Sequence, residues 1–145
     1  KESVNEIKAS INHLGDRAGK GTQKMILELL KKSQIIQSDL ITQISNKTIV
    51  DTKGEIFLKG YSTDIDILME NGKTILIEIK FKGDHKDLFH FYNISKLYAS
   101  QYKKPEELWF VSAELSRKSF EAIERLKKEN NLENLVVIVG EIRNE

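Results

Sequence analysis

The chain is expected to fold as an α/β protein, with a mixed β-sheet flanked by helices. The elements should run roughly α-β-β-β-α-β-α-β, with a further helix at the N-terminus. Three observations predict this. ELWFVSA and LVVIVG have the unbroken apolar composition of strands buried on both faces. An amphipathic stretch carrying Phe120, Ile123 and Leu126 separates them, so strand and helix alternate as in a helix-covered sheet. The segment TDIDILMENGKTILIEIK reads as two alternating strands joined by a turn at Asn71-Gly72.

Taken in order, residues 1–13 read as a short helix, broken by the glycine-rich GDRAGKG from Gly15 to Gly21. From Thr22 to about Ile44, apolar residues recur at the spacing of one helical face, through Ile26, Leu29, Leu30, Ile36, Leu40 and Ile41. Extended segments follow at about 48–51 and 55–59, then the two strands of the hairpin. Asp84 and Asp87 offer starts for a helix whose buried face carries Leu88, Phe91, Tyr92, Ser95, Tyr98 and Tyr102 and which ends before Pro105. Ser116 with Ser119 can open the last helix. With no repeat or linker in its 145 residues, the chain is expected to form one domain over 1–145, residues 1–14 being a peripheral helix.

Composition narrows the chemistry. A hydrophobic fraction of 39% against 31% charged fits a folded soluble protein. No apolar run approaches the roughly 20 residues that span a bilayer, and no signal-peptide pattern opens the chain, so no membrane and a cytoplasmic location are expected. The absence of cysteine excludes thiolate metal sites and cysteine nucleophiles. The net charge of +1 hides a division: residues 1–48 hold eight Lys/Arg against five Asp/Glu, and residues 80–104 six against two, around an acidic centre. That pattern suits a polyanion-binding surface around an acidic site.

The hairpin carries that site. Asp64, Asp66 and Leu68 share one face of the first strand, while Leu76, Glu78 and Lys80 share one face of the second. A three-residue loop, Glu70-Asn71-Gly72, pairs Met69 with Lys73 and Asp66 with Leu76. It brings Asp64 opposite Glu78 and sends every isoleucine to the other side. Three carboxylates so placed repel one another, and a divalent cation is the ordinary way to keep them ionised. Oxygen ligands without cysteine favour Mg²⁺ or Mn²⁺. Such a cation, with a lysine beside it, is machinery for phosphodiester hydrolysis. The competing account is a surface hairpin with a cross-strand ion pair worth about 0.2–1 kcal/mol.

Asp66 followed after the turn by Glu78-Ile79-Lys80 resembles the D…(D/E)-x-K signature of the PD-(D/E)XK nuclease superfamily, whose core is the restriction-endonuclease-like fold. The wider pattern, IDILMENGKTILIEIKFKGD with Lys96-Leu97-Tyr98 and ELWFVS, resembles an archaeal and viral group of its members and, more loosely, archaeal Holliday-junction resolvases. The resemblance implies a metal-dependent endonuclease acting on DNA by in-line attack of a metal-activated water. It implies that Asp66, Glu78 and the Ile79 carbonyl bind Mg²⁺ or Mn²⁺ and that Lys80 is the catalytic lysine. Asp64 is an auxiliary metal ligand in this reading. Lys20, Lys24, Lys82, Lys86 and Lys96 are the candidate phosphate contacts, and a homodimer would suit the cutting of two strands.

Two departures stand out. The proline of the family name is absent, Ser62 and Thr63 occupying that neighbourhood. Where many relatives carry a glutamate on the first core helix, this chain has Gln23, which can hydrogen-bond a water but cannot act as a base. Glu28, about 140° further around that helix, is a poor substitute. Gln23 therefore supports a second reading, a catalytically reduced member that binds nucleic acid or protein. His85 and His90 are expected in helix-side roles, and the aromatics of the central helix in the core.

Overall fold

An alternating strand can bury one face, whereas an unbroken apolar strand must bury two, and the sheet is ordered accordingly. The computed structural model describes residues 44–70 and 73–144. Strand β1 (Ile44–Asp51) is followed by β2 (Tyr61–Glu70), β3 (Thr74–Lys82), helix α1 (His85–Gln101), β4 (Glu107–Ser116), helix α2 (Arg117–Glu129) and β5 (Leu135–Arg143). The five strands lie in the order β1-β2-β3-β4-β5. The first three are antiparallel, and β3, β4 and β5 are parallel, their crossovers supplied by α1 and α2. From the first strand onward this is the expected element order. The N-terminal helices lie outside the described residues, except that Ile44, read from its spacing as the last member of a helical stripe, opens β1 instead.

Both faces of the sheet are apolar at its centre. Leu68, Leu76, Leu108, Phe110 and Leu135 pack with Leu88, Phe91, Ile94 and Leu97 of α1 and Ile123 of α2. Ile67, Met69, Ile75, Ile77, Ile79, Trp109, Val111, Ala113 and Ile138 form a second buried cluster on the opposite face. Of the aromatics expected in the core, Phe91 and Tyr98 are buried, and Phe91 lies 6.4 Å centroid to centroid from Phe110, but Phe89 and Tyr102 are exposed, Phe89 because it lies off the buried stripe and Tyr102 because it caps the end of the helix. Helix α1 starts where the sequence places it. The Asp84 carboxylate accepts the Asp87 N–H at 2.9 Å and the Asp87 carboxylate accepts the Asp84 N–H at 2.9 Å, a reciprocal capping box. Ser116 caps α2 by accepting the Ser119 N–H. No helix among the described residues is long and apolar enough to cross a membrane.

Residues 55–59 differ from expectation: they form a loop instead of a strand. The buried Asp51 carboxylate accepts the N–H groups of Gly54, Glu55, Ile56 and Phe57, and the Asp51 carbonyl accepts that of Gly60. Donors that a ladder would have used are gathered onto one side chain. Burial works to raise the Asp51 pKa, but these backbone donors outweigh it and hold the carboxyl below its usual range. Gly54, at φ +71°, completes the turn; a Cβ there would lie 2.8 Å from the Lys59 backbone nitrogen. Replacing Asp51 with alanine should therefore accelerate amide exchange at residues 54–57 by about 10- to 100-fold while the β3–β4 amides stay protected, as read by hydrogen-exchange NMR.

Candidate active site at the fork between two strands

The two hairpin strands pair only in their inner halves. Ile67 faces Ile77, Met69 faces Ile75 and Glu70 faces Thr74. Three residues, 71–73, connect them. The expected loop length is kept, but the turn is displaced by one residue and the register by two. The reason lies in what each register pairs: here Met69 meets Ile75 rather than Lys73, and Lys73 forms an ion pair with Glu107 of β4. Face parity is unchanged by a two-residue shift.

Beyond Ile67 the strands part company. β2 continues along β1 to Tyr61, while β3 continues along β4 to Lys82. A bulge marks the fork: between Ser45↔Leu68 and Lys47↔Ile65, β1 advances two residues and β2 three. The extra residue breaks the alternation at Asp66–Ile67. Ile65 therefore joins the α1-side cluster although Ile67 lies in the opposite one. Bulges re-aim side chains in this way. Asp66 Oδ2 accepts the Ile79 N–H at 3.0 Å, replacing the backbone acceptor that β2 no longer provides. Since the N–H and C=O of one strand residue point to the same edge, the Ile79 carbonyl opens toward the same fork.

Around that fork stand Glu78, Lys80 and a residue of α1. Glu78 is 5% exposed. Its pKa is pushed up to about 8, first by burial and then by the Asp66 charge beside it, against partial relief from Lys80; a hydrogen bond with Asp66 and the charge of Asp87 add to the rise. Lys80 Nζ lies 3.7 Å from Glu78 Oε2 and 3.9 Å from Asp87 Oδ1. Asp87 was legible in the sequence only as a helix start. Its second role arises because Gly83 packs tightly against Ser112, Phe110 and Lys80, dropping the α1 N-terminus beside the β3 end. The Gly83 N–H donates to Ser112 Oγ at 2.9 Å and holds that approach.

The remaining candidates are more scattered. Asp64 is exposed and accepts the Thr48 hydroxyl at 2.7 Å across the β1–β2 ladder. The expected pairing of Asp64 with Glu78 is not formed: the observed register would set Asp66 opposite Glu78, and β2 leaves β3 before Asp64 is reached. Lys82 and Lys86 are exposed on either side of the β3–α1 connection. Lys96 lies about 16 Å further along α1 than His85 and places its Nζ 5.8 Å from the Tyr92 ring centroid. Gln23, Lys20 and Lys24 lie outside the described residues. Of the two histidines, His85 faces the Ser119 hydroxyl at 3.4 Å and His90 the Tyr61 hydroxyl at 3.2 Å, the helix-side roles expected.

Among the described residues no three His, Asp or Glu side chains form a complete cation cage. The donor set nevertheless fits a hard divalent ion of the Mg²⁺ type, which takes one or two carboxylates and leaves its other positions to water and phosphate. Two adjacent carboxyls, one of them buried and raised to about 8, are destabilised without such a charge.

A mixed sheet forked at a bulge, with paired carboxylates and a lysine in the fork, defines an α/β protein of the restriction-endonuclease-like fold. Residues 62–133, which contain Asp66, Glu78, Lys80 and Asp87, match the family model described as the PD-(D/E)XK nuclease superfamily, and the chain belongs to that superfamily. Comparisons with curated proteins and with solved structures found no match.

The raised Glu78 pKa has a sign that can be checked without substrate. Between about 4.5 and about 8 the folded chain holds a proton that the unfolded chain releases. Stability of the metal-free protein should therefore fall as pH rises through that window. Glu78→Gln should flatten the fall and be more stable than the parent at pH 8 by roughly 2–4 kcal/mol, the two converging near pH 4.5 in urea denaturation. Parallel pH profiles would mean that Glu78 ionises normally.

Proposed function

We propose that this chain is a metal-dependent nuclease that hydrolyses phosphodiester bonds of DNA, with Asp66, Glu78 and Lys80 at its active centre. The observation that carries the reading is the convergence of Asp66 and the buried Glu78 at the fork, with Lys80 beside them. A divalent cation, Mg²⁺ or Mn²⁺, held by Asp66, Glu78 and the Ile79 carbonyl, would neutralise phosphoryl charge and acidify a water, while Asp64, engaged with Thr48, is left out of the ligand set.

The protein's own groups supply the rest. Asp66 has one carboxylate oxygen committed to the Ile79 amide, so its orientation is set before any ligand arrives. Glu78, largely cut off from bulk water, offers a carboxylate whose charge becomes favourable only beside a cation. Lys80 reaches the fork from a half-exposed position with three rotatable donors, suited to a phosphate oxygen or to the attacking water. Asp87 is a positioning residue: fixed by its capping box, it shares the lysine ammonium with Glu78. Lys82 and Lys86 extend positive charge along the path of a bound strand, and Lys20, Lys24 and Lys96 are further candidate phosphate contacts.

Cleavage of labelled duplex, single-stranded and branched DNA with Mg²⁺ or Mn²⁺ tests this reading. Lys80→Ala should cut at least about 100-fold more slowly yet still bind the cation by calorimetry, whereas Asp66→Asn should lose both. Asp87→Asn should lower kcat by about 10- to 100-fold with KM little changed. No cleavage of any substrate, together with no cation binding, would favour the alternative that Gln23 suggests, a binding protein built on this scaffold.

A further inference from the structure

The loop pinned by Asp51 bears an unusual tip. Leu58 is 74% exposed, and Val50 and Tyr61, at the two ends of the loop, are also exposed apolar side chains. One exposed leucine needs no explanation. Here, however, the backbone beneath it is immobilised: four N–H groups converge on the Asp51 carboxylate, and the Leu58 carbonyl accepts the Tyr61 N–H at 2.8 Å to close a turn. An apolar tip on a rigid base has already lost the conformational freedom that binding would otherwise remove.

Its position is equally specific. Phe57 lies 4.8 Å from the Tyr61 ring and 5.3 Å from the His90 ring, and the Tyr61 hydroxyl meets His90 Nε2 at 3.2 Å. His90 is one turn of α1 beyond Asp87, on the same side of the helix. The loop is thus fastened to the helix that reaches Lys80. Gly54 packs on the Lys59 backbone, which brings Lys53 and Lys59 to the same end of the loop, beside Leu58 and against the single acid Glu55. An apolar tip with cationic neighbours, on a loop that touches α1 one helical turn beyond Asp87, matches the side chains that wedge between bases while lysines hold the backbone.

We propose that the loop 52–60 is a preformed nucleic-acid wedge. Leu58 packs against the bases of an opened or kinked step in DNA bound at the Asp66–Glu78–Lys80 centre, and Lys53 and Lys59 contact the flanking phosphates. This rests on the nuclease reading and adds to it a substrate preference, for DNA that can be unstacked beside the cut.

The test uses the full chain carrying Lys80→Ala, which binds without cutting, and duplexes with 2-aminopurine at successive positions on both sides of the cut mapped with the parent protein. Fluorescence should rise at one or two positions on one side. Adding Leu58→Ala should abolish that rise and weaken binding about tenfold, while Leu58→Met should keep most of both. Lys59→Ala should weaken binding uniformly across sequences and reduce the salt slope by about one. If Leu58→Ala leaves fluorescence and affinity unchanged while the Lys80-bearing protein cuts DNA, the wedge is overturned and the nuclease reading stands. If the parent neither binds nor cuts any nucleic acid, both fall.

Discussion

The hydrogen bond from the Ile79 N–H to Asp66 sits at the point on which the rest of the centre depends. Two strands that begin as an antiparallel pair separate here, and a separating pair exposes backbone donors that must find acceptors. Asp66 supplies one. Its carboxylate at once seals the inner side of the fork and stands beside Glu78. The bulge at Asp66–Ile67 makes this possible, since without the extra residue β2 would stay in register with β3 and no cleft would open. The same structural event therefore ends the pairing, aims the carboxylate and frees the Ile79 carbonyl edge.

The centre is built against the gradient of stability. Glu78 occupies a buried position between the apolar Leu76 and the end of β3, next to a second acid, and its pKa rises accordingly. Such a cost persists only where the surroundings over-determine it. The sheet meets that condition: the parallel pairing of β3 with β4 runs from Ile75 to Lys82, and apolar clusters cover both faces up to the fork. Rigid strands carry Asp66, Glu78 and Lys80, and the α1 N-terminus contributes Asp87 through a tight turn at Gly83. A perturbed carboxyl placed where two strands part is a candidate for function.

The Asp51 loop shows the same economy on the other side of the fork. A short strand could have continued there, but one buried carboxylate gathers the amides into a closed loop and leaves Leu58 outward. Its fastening to His90 links the loop to α1, the helix whose first turn carries Asp87 beside Lys80.

The sequence by itself determined the element order from the hairpin onward and the caps of α1 and α2, and it singled out Asp66, Glu78 and Lys80 as candidates. Each of these follows from periodicity or from residue type within a few positions, which are local properties of the chain. Four features only the tertiary structure decided. The register depended on Met69 finding Ile75 and Lys73 finding Glu107, and the latter belongs to a strand 34 residues away. The bulge at Asp66–Ile67 is a count of residues against β1 and has no chemical signature of its own. Asp87 reads as a cap in any helix, and becomes part of the centre only because the Gly83 turn sets it beside Lys80. The loop at 55–59 read as extended, with Ile56, Phe57 and Leu58 in an apolar run, yet the Asp51 side chain outcompeted a partner strand for the amides of this segment. In each case the deciding energy came from a contact between segments that alternation and propensity treat separately.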